Sequence, residues 1–149
     1  MNGNGQLAPP RGTPAHPRFT YWLHFAEGSA MTPLLLKLIF ERIKTSKMLF
    51  IVKPVAKGIA DKVLNLMGEP SLKRQLDYME GELGKSEWFA GNDLSTADIQ
   101  MSFPVEASRQ PAGLDASRPK LMAYLKRIHA RPAYQRALER GGPYNFAND

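Results

Sequence analysis

The stretch Gly91-Asn92-Asp93-Leu94-Ser95-Thr96-Ala97-Asp98 decides the fold, because it predicts how one central helix begins. Ser95 is placed as the N-cap, and its hydroxyl can accept a hydrogen bond from the backbone N–H three residues later. Asp98 occupies that third position and can accept from the N–H of Ser95, which completes a capping box. Leu94 and Ile99 flank the box at the positions of a hydrophobic staple. Ser95 and Asp98 are therefore predicted to be structural, since no histidine lies at a spacing that would make them a nucleophile and base.

The composition is that of a globular protein with one domain. The chain has 149 residues, of which 43% are hydrophobic and 23% are charged. It contains no cysteine, which excludes disulfides, thiolate metal sites and a cysteine nucleophile within the chain. That absence fits a reducing compartment, and we expect a cytoplasmic location. No apolar run is long enough to span a bilayer, so we expect no membrane partner.

The formal net charge is +6, and much of it lies after Ala116. A basic excess can indicate nucleic-acid binding. Here the cations fall on the polar sides of two amphipathic patterns and have no interleaved aromatic residues for base stacking, so a nucleic-acid partner is not expected. The basic residues of this part are Arg118, Lys120, Lys126, Arg127, Arg131, Arg136 and Arg140.

The histidines do not indicate a metal site. His16, His24 and His129 are widely spaced and match no metal-ligand pattern. We therefore expect neither a metal ion nor another cofactor.

Glycine, asparagine and proline dominate residues 1–17, a composition typical of a linker. Residues 18–44 are predicted to form one long helix, whose apolar arc is wider than a single core-facing stripe. Gly28-Ser29 and Pro33 interrupt this helix, and the proline predicts a kink or break. We expect the wide arc to be covered on two sides, by the core and by a second domain or subunit.

Residues 47–53 have the local propensity of a strand, but no partner strand is apparent, so we predict a connection or the start of the next helix. Pro54 suits a first helical turn, and a break is predicted at Gly68-Glu69-Pro70, after which Ser71 is placed to cap another helix. The apolar stripes of these two helices are Val55, Ile59, Val63 and Leu66, and then Leu72, Leu76, Met79 and Leu83.

Three further helices are predicted in the second half of the chain. The helix from Thr96 to about residue 110 is expected to be central and buried, with Ile99, Met101, Phe103 and Val105 as its apolar residues and a kink at Pro104. Pro119 begins an amphipathic helix whose apolar stripe is Leu121, Tyr124, Leu125 and Ile128. Pro132 begins a short last helix that stops at Gly141. The predicted fold class is all-α, a bundle of five to seven helices.

Four motifs in this order resemble the C-terminal domain of cytosolic glutathione S-transferases. The family pattern of Gly, two variable residues, an apolar residue, Ser/Thr, one variable residue, Ala and Asp is matched by Gly91, Leu94, Ser95, Ala97 and Asp98. Similar to other parts of that domain are Trp88-Phe89-Ala90, the run Trp22 to Ser29 with Pro33, and the run Arg118 to Tyr134. The resemblance implies a helical bundle of that type over residues 18–149, preceded by an interdomain linker remnant at 1–17.

The resemblance also implies that a part is missing. Family members carry a thioredoxin-like domain before the linker, which binds glutathione as co-substrate and holds the Tyr, Ser or Cys that activates its thiol. The sequence has no such pattern, so we expect the chain alone to be inactive and to hold no catalytic residue. A truncated product, a domain that works with a partner and a non-catalytic role remain open.

In the family, the first helix of this domain lines the cleft that binds the hydrophobic electrophile, and the enzymes are homodimers. Glutathione and such an electrophile are therefore the implied partners. The implied binding residues are Tyr21, Phe25 and Met31 as an apolar wall, Ser29 and Thr32 as polar anchors, Gly28 beside them, and Glu27 as a contact for the glutathione amino group.

An ordinary structural interpretation competes with this assignment. Phe25 and Met31 would then be core residues, and Glu27 would be solvated. At the C-terminus, Tyr134, Tyr144 and Phe146 either close the pocket or form a loose tail.

Two other interpretations compete with the transferase assignment. Helical domains of this type also occur as interaction modules in translation factors and synthetase assemblies, and the basic last third would suit such a scaffold. Such an interaction module would be recognised by binding to an RNA or protein partner with an affinity that falls steeply as the salt concentration rises. A helical bundle with accidental similarity is disfavoured by the order of the four motifs.

Overall fold

The structure, a computed structural model, describes residues 7–109 and 113–146. Regular structure in these residues is entirely helical, which confirms the all-α prediction. Two π turns join four of the α-helices into two long ones, so the described chain forms five continuous helices. The elements are α1 (Ala15–Phe25), a π turn (Ala26–Ala30), α2 (Met31–Thr45), α3 (Lys53–Val63), a π turn (Leu64–Gly68), α4 (Glu69–Leu83), α5 (Thr96–Ala107), α6 (Pro119–His129) and α7 (Pro132–Gly141).

The first long helix does not break at its proline. It begins at Ala15, slightly earlier than predicted, and passes from α1 to α2 through the π turn. The N–H of Met31 bonds to the carbonyl of Ala26, five residues back, so the backbone is wider just before Pro33. Because Pro33 cannot donate and crowds the preceding turn, a widened turn accommodates it without ending the helix.

The predicted break at Gly68-Glu69-Pro70 is also a π turn. The N–H of Glu69 bonds to the carbonyl of Leu64, and α4 continues directly from it. Ser71 therefore lies inside a helix, and the prediction that it caps one is wrong. The prediction for residues 47–53 is confirmed, since residues 47–52 form a connection and Lys53 begins α3, with Pro54 in its first turn.

The core lies between α1, α4, α5 and α6. The stripes predicted for α4 and α6 are buried, which confirms both: Leu72, Leu76, Met79 and Leu83, and Leu121, Tyr124, Leu125 and Ile128.

Two predicted stripes face solvent in part. In α5, Met101 and Val105 are buried, whereas Ile99 and Phe103 are exposed, because residues two apart lie on opposite sides of a helix. In α3 and the turn after it, Ala60 and Leu64 face the core instead of the predicted stripe. Val55, Ile59 and Leu66 of that stripe are exposed.

The capping box at the start of α5 is present as predicted. Asp98 Oδ2 accepts from Ser95 N at 2.9 Å and from Ser95 Oγ at 2.8 Å. Its other oxygen accepts from Phe89 N at 2.7 Å, so one carboxylate fixes both the helix and the aromatic segment before it. Burial raises the pKa of Asp98, and these hydrogen bonds oppose the rise. Gly91 turns the chain between them at φ +157°, a conformation that residues with a Cβ rarely adopt.

Two residues near the start of the chain form hydrogen bonds with α5 and with the aromatic segment that precedes it. Leu7 O accepts from Thr96 N at 2.8 Å, which satisfies a first-turn amide of α5. Arg18 Nε donates to Phe89 O at 2.7 Å, and its Nη1 lies 2.9 Å from Glu82 Oε2. The linker-like segment is thus packed against the box over the residues that the structure describes.

Ser95→Ala should lower the free energy of unfolding by about 1 kcal/mol or more, because Ser95 is buried and its hydroxyl serves the cap. Chemical denaturation measures the loss. Ser102→Ala is the matched control, since its hydroxyl only bonds back to Ile99 O within α5. Equal stability of wild type and Ser95→Ala would contradict the capping role.

Candidate functional site

An aromatic cluster covers the outer side of α1 where α4 passes it. Tyr21, Trp22 and Phe25 all contact Tyr78, whose ring stacks on Trp22 with centroids 5.5 Å apart. Phe25 and Trp22 are buried, while Tyr21 and Tyr78 are 48% and 40% exposed. The exposed surface is therefore made by the two tyrosines, with the other two rings as their support. The predicted wall residue Phe25 is largely a core residue.

Tyr78 was missed by the sequence analysis, because it lies beside the apolar stripe of α4 and not in it. Burial raises the pKa of Tyr78, and a hydrogen bond with the hydroxyl of Tyr21 adds to the rise. A phenol with a raised pKa stays protonated at neutral pH. The Tyr78 hydroxyl can therefore donate a hydrogen bond to a ligand, but it supplies no base that would deprotonate a thiol.

The π turn carries three of the predicted binding residues. Glu27 and Gly28 are exposed there, and Ser29 is half-buried. Glu27 Oε1 accepts a hydrogen bond from Gln100 Nε2 at 2.6 Å, so its side chain is tied to α5. Single π turns inside α-helices occur frequently at functional sites.

The first turn of α2 holds the remaining two. Met31 is half-buried and packs against the core, as the structural interpretation expects. Thr32 is exposed, and its Oγ1 donates to Gly28 O at 3.3 Å. The predicted residues therefore form one continuous strip of helix, although none of their contacts identifies a ligand.

A second cluster surrounds Glu106 in α5, which the sequence analysis also missed. This carboxylate is only 2% exposed. Oε1 lies 2.8 Å from His129 Nε2 and accepts from Tyr134 OH at 2.8 Å. Oε2 accepts from Tyr144 OH at 2.7 Å. The local sequence offered one indication of this cluster, an acidic residue beside Val105 in a helix that has few charges. The side chains that bind Glu106 are distant in sequence and could not be paired with it.

The Glu106 cluster fixes the position of the C-terminal segment, by which we mean residues 142–146 after α7. Tyr144 is held on Glu106, and the ring of Phe146 meets that of Phe103 edge-on at 5.8 Å. The segment is docked as far as Phe146, so the loose-tail interpretation is wrong for these residues. A cavity of about 310 Å³ lies between α5, α7 and this segment.

Neither a metal site nor a membrane span is found in the described part of the chain. No group of three or more His, Cys, Asp or Glu side chains in residues 7–109 and 113–146 could hold a metal ion. No helix in those ranges is long and apolar enough to cross a bilayer.

Comparison with known proteins identifies the family. The family described as "Glutathione S-transferase, C-terminal domain" matches residues 36–132. The chain belongs to this family. In this glutathione S-transferase C-terminal domain, Ser95 and Asp98 lie inside the matched range, whereas Tyr21 to Thr32 precede it.

Curated relatives are longer than this domain. Glutathione S-transferase 1 of Saccharomyces cerevisiae is 31% identical over 125 residues, which are 83% of this chain and 53% of the relative. Glutathione S-transferase 3 of Schizosaccharomyces pombe is 28% identical over 126 residues, which are 83% of this chain and 50% of the relative. The domain thus spans about half the length of these relatives.

Solved structures share the fold. A glutathione S-transferase from Actinobacillus pleuropneumoniae matches 98% of this chain and 60% of its own, with a TM-score of 0.70 and 22% identity. A sphingomonad glutathione S-transferase complexed with glutathione matches 96% of this chain and 62% of its own, with a TM-score of 0.64 and 26% identity. These matches support a fold of the glutathione S-transferase C-terminal type.

Proposed function

We propose that this chain is the helical half of a glutathione transferase and supplies the wall of its electrophile pocket. The observation that carries the proposal is the exposed aromatic surface of Tyr21 and Tyr78 beside the π turn. It lies on the helix that, by resemblance, lines the cleft of the family's enzymes. In this proposal, glutathione binding and thiol activation belong to the thioredoxin-like domain that family members carry before the linker.

The proposed division of chemistry follows from the side chains. The thiolate of glutathione attacks an electrophilic carbon and a C–S bond forms. In a substitution the bond to the leaving group breaks, and that group departs with the electron pair. In an addition a C=C π bond breaks, and its electron pair moves to the neighbouring carbon, which then takes a proton. The rings of Tyr21 and Tyr78 would hold an apolar electrophile, and their hydroxyls would donate hydrogen bonds to the negative charge that develops on it. Ser29, Thr32 and Gly28 would border this surface, and Glu27 would contact the glutathione amino group.

A binding measurement tests the aromatic surface. Dinitrobenzene, an aryl electrophile analogue without a leaving group, should quench the fluorescence of Trp22 beneath Tyr78. Tyr78→Ala should weaken this binding about threefold to tenfold, the effect of one aromatic contact. Phe103→Ala is the matched control, because Phe103 is also 40% exposed but lies on α5. Equal affinities of Tyr78→Ala and wild type would exclude this surface as the site.

The proposal includes a cytoplasmic location and a role in detoxifying hydrophobic electrophiles. The cysteine-free composition supports a reducing compartment. Conjugation with glutathione is a reaction that makes apolar electrophiles more polar and less reactive.

We also propose a homodimer. Large apolar side chains are exposed on two segments that pack against each other, α2 and the π turn of Leu64–Gly68. Exposed apolar surface of this extent marks an interface or an aggregation liability. The side chains are Leu35, Leu38, Ile39, Leu66 and Met67.

Self-association is therefore expected at micromolar concentration. Light scattering after size exclusion should give twice the chain mass, and Leu38→Glu should shift the protein towards monomer, because a charge in an apolar interface is costly to bury. Lys126→Glu changes an exposed residue of α6 and should leave the dimer intact. A clean monomer at high concentration, with no surface that binds apolar dyes, would contradict the proposal.

The interaction-module alternative receives no support from the basic residues. Arg118 Nη2 lies 2.9 Å from Asp77 Oδ1, and Arg127 donates to Glu87 O. Several of the cations thus have partners within the domain.

A further inference from the structure

The connection between α2 and α3 presents a run of apolar side chains to solvent. Phe50 is 86% exposed, Leu49 79% and Ile51 75%. Val52 follows them and is also exposed. We call residues 49–52 the apolar tip, and exposed apolar residues in one unbroken run are unusual for a soluble surface.

The tip is a tight turn with internal backbone hydrogen bonds. Leu49 O accepts from Val52 N at 2.9 Å and from Lys53 N at 3.1 Å. Val52 O accepts from Ala56 N at 3.0 Å, which starts α3. Because the amides of Val52 and Lys53 are already paired, moving the turn into an apolar medium costs less than moving a loop without these two bonds.

Lysines surround the tip. Lys47, Lys53 and Lys57 flank it, all are exposed, and no acidic residue lies between Lys47 and Ala60. The nearest acids along the chain are Glu41 and Asp61, and Lys44 pairs with both at 3.0 and 2.9 Å. Arg42 adds further positive charge in the last turn of α2, which leads into the tip.

We propose that the apolar tip inserts into the headgroup region of an anionic lipid surface and anchors the domain there peripherally. The apolar side chains would enter the acyl boundary, while Lys47, Lys53 and Lys57 would contact lipid phosphates. Contact between two identical tips would instead bring the lysines of both copies together, which like-charge repulsion disfavours.

This inference does not depend on the proposed enzymatic function. It refines the expectation of no membrane partner, which rested on the lack of a spanning segment. Four apolar residues cannot span a bilayer, but a peripheral contact needs only a few inserted side chains and a basic rim.

Co-sedimentation of the full chain with vesicles tests the proposal. We expect binding to vesicles that contain phosphatidylglycerol and little binding to phosphatidylcholine alone. Binding to the anionic vesicles should fall as salt rises, because screening weakens the lysine contacts.

Leu49→Ser should weaken partitioning about tenfold, the effect of removing one inserted side chain. Lys47→Gln with Lys53→Gln should weaken it about thirtyfold at low salt.

Ile99→Ser is the matched control for Leu49→Ser. Ile99 is an apolar residue that is 50% exposed, and it lies on α5, outside the apolar tip and outside the side chains assigned to the dimer interface. Ile99→Ser should leave vesicle binding unchanged. Equal binding of wild type and Leu49→Ser, or no preference for anionic vesicles, would overturn the proposal. If Leu49→Ser instead changed the oligomeric state in solution without changing vesicle binding, the tip would be an interface between copies and the lipid assignment would be wrong.

Discussion

Asp98→Ala should lower the free energy of unfolding by about 3–5 kcal/mol, because two buried backbone amides lose a charged acceptor together. Phe89 N and Ser95 N both donate to this carboxylate, whose residue is fully buried. Alanine offers no acceptor, and water cannot reach either amide without opening the start of α5. Urea denaturation followed by circular dichroism measures the loss.

Two comparisons sharpen this prediction. Asp98→Asn keeps one oxygen acceptor but loses the other, so its stability should fall between wild type and Asp98→Ala. Ser95→Ala affects only the cap and should be the mildest of the three. If Asp98→Ala cost no more than Ser95→Ala, the link from this carboxylate to Phe89 would not contribute to stability.

Glu106→Ala should cost about 3–5 kcal/mol, because it removes a buried carboxylate that is the shared acceptor of several half-buried donors. Tyr134 OH and Tyr144 OH donate to Glu106, and His129 Nε2 lies at hydrogen-bond distance from it. The substitution should also release the C-terminal segment, which limited proteolysis after residue 141 would detect. Thermal and urea unfolding give the stability change.

Tyr144→Phe separates the two effects. It removes one hydrogen bond to Glu106 but leaves the ring, so a loss of about 1.5–3 kcal/mol is expected, the range for a hydrogen bond to a charged group. Proteolysis of the C-terminal segment should increase in this variant as well. A Glu106→Ala protein with wild-type stability and an uncleaved segment would show that the cluster does not hold the C-terminus.

Features set by neighbouring residues could be predicted from the sequence. The capping box needs only Ser95 and Asp98 at the right spacing, and helical periodicity alone places Leu121, Tyr124 and Ile128 on one buried face. The family resemblance followed because its motif includes that same local device.

Features set by packing could not be predicted. Pro33 predicts a local disturbance, but whether the helix breaks or widens depends on the tertiary contacts that hold both ends in line. The periodicity of α3 does not say which of two apolar lines faces the core, so Ala60 was not preferred over Ile59. Tyr78 joins Tyr21, and Tyr144 joins Glu106, only after the helices have packed.

An NMR titration of the labelled chain, with dinitrobenzene and glutathione added separately, tests whether this domain binds the electrophile. We expect dinitrobenzene to shift backbone resonances of Tyr21 to Thr32 and of the α4 turn around Tyr78, and we expect glutathione alone to bind very weakly or not at all. Tight glutathione binding by this chain, or dinitrobenzene shifts confined to α6 and α7, would contradict the assignment of this domain to the electrophile side of the reaction.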